Sequence, residues 1–243
     1  MTSPALAAAL ADIDTVFNGF ASPNETACFV CDLPEEIAYL RTPYVRIPVD
    51  VVRQYTFQAS GHFADQAAAM RRLLPQGARA LTEGAMDTLG LGFHGLAVVD
   101  WRSWPERQAA AVETFVHAWW QDVLVTSRPP YSITEIFELC ASILRSATPL
   151  LDLWKPGPVA DAHLLACVDW WLGDLLEDGS PFGWWLYGEE AALPRLRSWL
   201  ATHAPARLRA QGETDLATRA ELLALPYDER WAHPYWTSPS ATN

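Results

Sequence analysis

The chain has 243 residues, a length that one large domain can hold. Half of them are hydrophobic and 12% are aromatic, enough to pack a core, which excludes wholesale disorder. The formal net charge is −12, so nucleic-acid phosphates and anionic membrane surfaces are repelled, and neither is expected as a partner.

The predicted elements are helices almost throughout. Leu6, Leu10, Ile13, Phe17 and Phe20 recur at spacings of three and four, which predicts a first helix over 4–20, within an N-terminal helical segment 1–22. Ser3 is placed to cap it and Pro4 suits its first turn. After a polar link, Asp32 is read as the cap of a short helix that opens on Pro34, Glu35 and Glu36 and ends before Pro43. A helix over 48–59 is broken by Gly61. The next, over 63–83, contains Pro75, which should kink or split it, and Gly84 suits the position just past its end.

Glycines punctuate 89–101, where 96–99 reads as a short strand or an extended packed loop. Ser103 with Glu106 three residues later predicts a capping box at the head of a helix to about 126. Ser132 with Glu135 repeats that signature for a helix to about 146, and a short helix follows from Pro149. Pro156-Gly157-Pro158 is a linker, followed by helices over 159–177, 189–203 and 213–225 and a frayed polar tail over 236–243. Short links and almost no strand signal predict an all-α, multi-helix single domain over 1–243.

The N-terminus lacks the basic start of a secretion signal, and the longest uncharged stretch in the middle of the chain, 88–99, is too short to span a bilayer. With only four cysteines, a soluble, reduced, cytoplasmic protein is expected.

Two cysteine pairings carry candidate chemistry. Cys28 and Cys31 form a CxxC, which can chelate a metal, act as a redox pair or simply be buried as two small hydrophobes. His163 and Cys167 stand at i and i+4 on one helix face. If the two segments met, Cys28, Cys31, His163 and Cys167 would make a closed structural zinc site, the one cofactor the sequence allows for; the alternative is a core helix with one satisfied histidine. No HExxH, paired ExxH, Walker loop or GxSxG occurs. Gly92-Phe93-His94-Gly95 sets a histidine between glycines, better read as a turn than as an exposed base.

Twelve tryptophans are the strongest compositional signal, and six of them form the pairs 119–120, 170–171 and 184–185. Neighbours on a helix point about 100° apart, so one ring of a pair packs inward and the other must cover a neighbouring helix or a surface. The text around Trp119-Trp120 resembles that around Trp170-Trp171 at an offset of 51 residues, which allows a HEAT-like helical repeat beside the irregular bundle. The stretch 156–194 carries no base but seven acids, and arginines gather after it at Arg195, Arg197, Arg207, Arg209 and Arg219. Trp170, Trp171, Trp184 and Trp185 are therefore the candidate binding residues of an interaction module without chemistry of its own, its partner basic or amphipathic, or a second copy offering the arginine-rich segment. The alternative is an enzyme, or a structural-zinc protein, whose site cannot be read from spacing.

Cys28-x-x-Cys31, Leu40, Pro48, Tyr55, Ala59, Leu74-Pro75 and Trp104-Pro105-Glu106 resemble the pattern of an uncharacterised family of bacterial proteins, over residues 28 to about 120. Where that family carries a basic residue after the Leu-Pro pair, this chain has Gln76. The resemblance implies an all-α bacterial protein and no established activity.

Overall fold

The computed structural model describes residues 2–26, 33–58, 60–89, 95–183 and 189–237. Among these there is no strand, and about 70% of the chain is helical. The helices are α1 (Pro4–Val16), α2 (Pro34–Arg41), α3 (Val49–Thr56), α4 (Gln66–Thr82), α5 (Glu106–Val125), α6 (Ile133–Leu144), α7 (Thr148–Leu153), α8 (Pro158–Leu176), α9 (Glu189–Ala210), α10 (Thr214–Leu222) and α11 (Tyr227–Trp231).

Local chemistry sets several of the ends. Ser3 Oγ accepts the Leu6 N–H at the head of α1, and the Ser3 N–H in turn donates to Asp122 of α5 at 2.7 Å. Ser132 and Glu135 form the reciprocal capping box of α6. At the end of α4, Gly84 adopts φ +71°, and the Ala85 N–H closes back on the Ala80 carbonyl at 2.8 Å. Pro75 does not split α4, which runs unbroken through it.

Four sequence expectations fail. α2 begins at Pro34 with Leu33 in the capping position, so Asp32, itself outside the described residues, is not the cap. The stretch 96–99 is neither strand nor extended: Gly95–Val98 is a single 3-10 turn. Ser103 does not cap α5; its hydroxyl donates to the Asp100 carbonyl within another 3-10 turn, and Pro105 takes the capping place. α9 continues through Pro205 to Ala210 instead of ending near 203, because Ala204 and Leu208 lie on its buried face.

α5 is the central helix. It packs on α1, α6, α7 and α8, while α4 lies against α1, α2 and α3, and α9 and α10 cover α8. A single cluster of buried apolar side chains runs from Leu6 to Leu223. Because neighbouring helices cover both of the faces they occupy, Trp119 and Trp120 are both buried and neither reaches a surface. At the centre, Phe137 is ringed by Trp120, Trp154, Trp171 and Phe182 at centroid separations of 4.9–6.1 Å, and Trp199 extends the group from Trp154. Three of the buried indoles are satisfied by backbone: Trp101 donates to the Ile143 carbonyl, Trp120 to Leu150 and Trp154 to Ala160, at 2.9–3.0 Å.

Candidate functional site

α8 separates two faces by helical periodicity. One presents Leu164, Cys167, Val168, Trp171, Leu172 and Leu175 to the core. The other presents Ala162, Ala166, Asp169, Trp170, Gly173 and Asp174 to solvent. Trp171 joins the central aromatic group, and Trp170 beside it stands 70% exposed. The residues one turn to either side of Trp170, Ala166 and Gly173, are too small to cover its ring. Asp169 and Asp174 flank it, and neither enters an ion pair among the described residues.

Two turns further along the same line, Glu177 accepts a hydrogen bond from the Tyr227 hydroxyl at 3.1 Å. That bond and the charge behind it hold the Tyr227 phenol above its ordinary pKa. Trp231 follows on α11 and stacks on Trp236 at 4.6 Å, so the ordered aromatic surface extends to the first residue of the segment expected to fray. Underneath, the Arg230 side chain is almost fully buried and binds α11 to the end of α8. It donates to the carbonyls of Leu176 and Leu225 and to Asp178. Trp170, Tyr227 and Trp231 are the exposed aromatics of this surface, and the bases close to it, Arg197 and Arg230, both belong to Asp178.

His163 and Cys167 point away from this surface. His163 is buried on α8, and its Nε2–H donates to the Thr126 carbonyl at the end of α5 at 2.9 Å. That bond leaves only Nδ1 with a lone pair to offer. Cys167 is fully buried, and loss of water pushes its thiol far above the ordinary range. No group of three His, Cys, Asp or Glu side chains gathers around a metal-sized space among the described residues. Cys28, Cys31, His94, Trp184 and Trp185 lie outside the described residues.

The arginine-rich segment is internally neutralised. Arg195 pairs with Asp152, Arg197 with Asp178, Arg207 with Asp161, Arg209 with Glu221 and Arg219 with Asp215. The sequence missed Tyr227 and Trp231 as members of the α8 surface, since nothing in their spacing says that α11 folds back there. No helix of the described residues is long and apolar enough to cross a membrane. The chain matches no known protein-family model, no curated protein and no solved structure, so the resemblance over 28–120 does not extend to a family match.

Proposed function

We propose that the protein is a binding module that takes a basic segment of a partner protein on the outer face of α8. The observation that carries this reading is Trp170, a 70% exposed indole between two unpaired carboxylates. An indole face attracts a guanidinium or ammonium group, and Asp169 and Asp174 supply the opposite charge beside it. Tyr227 and Trp231 give the apolar part of an amphipathic partner a place to lie. A second copy of this chain is the weaker occupant, because the arginines it would offer are held by its own acids, and two bodies of charge −12 repel each other.

The test is binding of a fluorescent Arg/Lys-rich amphipathic peptide, measured by anisotropy at low and high salt. Binding is expected to weaken with salt, and an acidic peptide of the same apolar pattern should not bind. Trp170→Ala should weaken it about tenfold, in line with a cation–π contact worth about 1–2 kcal/mol. Equal affinity for the wild type and Trp170→Ala would end this reading.

A further inference from the structure

A cleft of about 900 Å³ opens between the end of α1, the segment 44–49 and α4, a size in the range of small-molecule sites. α4 turns Arg72, Gln76 and Arg79 toward it, at i, i+4 and i+7 on one face. Gln76 builds the opposite wall. Its Oε1 accepts the Ile47 N–H at 2.9 Å, and its Nε2 donates to the Ile47 carbonyl at 2.8 Å.

The charges of the cleft do not balance. Arg79 is paired with Asp14 and lies in the field of Glu83, so three guanidiniums on the cleft wall face two carboxylates. Arg72 is only 7% exposed, yet its hydrogen bonds go to neutral carbonyls, those of Tyr39 and Val45, and it enters no ion pair among the described residues. Burial lowers its pKa with no neighbouring acid to oppose the shift. Arg46, next in the chain to the Val45 carbonyl that Arg72 holds, is exposed, lines the same cleft and is in no ion pair either. A buried guanidinium without a counter-ion is costly, and in a chain of net charge −12 a cleft that sets one such cation beside an exposed, unpaired Arg46 stands out. Beside them, Tyr44, Val45 and Val49 present exposed apolar surface along the rim, while Ile47 and Val52 lie buried beneath it.

We propose that this cleft binds an amphipathic organic anion, its carboxylate or phosphate head set against Arg72 and Arg46 and its aliphatic body along Tyr44, Val45 and Val49. The site is separate from the α8 face and does not depend on it.

Calorimetric titration of the full chain tests this with octanoate and octyl phosphate as probes, octanol and octylamine as controls, and inorganic phosphate alone. The anionic amphiphiles should bind at least about tenfold more tightly than either control and than inorganic phosphate, and the stronger of the two identifies the head group. Arg46→Gln and Val49→Glu should each weaken them by about tenfold. Both side chains are exposed, so neither change threatens the fold, whereas Arg72→Met also releases the Tyr39 and Val45 carbonyls and is the less clean variant. The proposal is overturned if octylamine matches octanoate, if inorganic phosphate matches octyl phosphate, if Arg46→Gln changes nothing, or if no probe binds.

Discussion

At the scale of the residue, Trp170 and Trp171 are one position apart on α8 and carry opposite energetic expectations. Trp171 is 1% exposed, against Phe137 and Phe182. Removing its ring leaves a cavity, so Trp171→Ala should cost about 3–5 kcal/mol in urea unfolding. Trp170→Ala removes no packing and should stay within about 0.5 kcal/mol, which lets its binding effect be read without a stability correction. The buried thiols set a pH dependence. Desolvation raises the pKa of Cys140 and Cys167 above the 9.0 of the unfolded chain, and burial, together with the hydrogen bond to Asp215, pushes Tyr235 up to about 12. A raised folded-state pKa gives stability that is complete below the unfolded value and is lost as pH rises beyond it. Unfolding free energy should therefore decline above about pH 9, by as much as 1.4 kcal/mol per pH unit for each thiol once the unfolded chain ionises. The Cys140→Ala, Cys167→Ala double variant should show a shallower decline across pH 9–10, followed by urea midpoints under reducing conditions.

At the scale of the element, what could be read in advance was what neighbouring residues decide among themselves. Ser132 and Glu135 are three apart, and nothing distant competes for them, so the expected capping box forms. Ser132→Ala should cost about 1 kcal/mol, seen as a lower midpoint with an unchanged urea dependence. Ser103 and Glu106 have the same spacing and fail. Trp101, four residues before Pro105, is buried with its N–H on the Ile143 carbonyl, and Trp104 is buried against Phe17. Seating both rings draws 101–103 into a 3-10 turn and delays α5 by two residues. Tertiary burial also carries α9 past Pro205, where sequence punctuation says stop. The α8 site divides in the same way. The solvent face around Trp170 follows from helical period and charge, whereas the arrival of Tyr227 and Trp231 depends on Arg230 reaching the end of α8 from 54 residues away. The cleft of α4 was not legible, because Arg72 reads as a surface base until its burial and its neutral partners are seen.

At the scale of the molecule, the pairing of sixteen arginines with the single lysine Lys155 has a structural explanation. Several arginines act as forks that collect carbonyls left unpaired where helices end or turns begin. Arg230 takes those of Leu176 and Leu225, Arg207 those of Trp154 and Ala160 together with Asp161, and Arg72 those of Tyr39 and Val45. Arg102 reaches the Leu144 carbonyl at the end of α6 while lying over the Trp101 ring. A planar guanidinium serves several acceptors at fixed angles, and an ammonium on a flexible stem does not. A fold made of many short helices with brief links has many such orphaned carbonyls, which makes the guanidinium the more useful cation here. Substitution by lysine keeps the charge and removes the fork, so it separates the two contributions. Arg230→Lys, at a buried position with four acceptors, should lose about 2–3 kcal/mol by urea unfolding, because at least one buried carbonyl is left without a donor. Arg195→Lys keeps its exposed pairing with Asp152 and should change stability by less than about 0.5 kcal/mol. If both lysine variants unfold at the wild-type midpoint, charge alone accounts for these residues and the fork geometry contributes nothing.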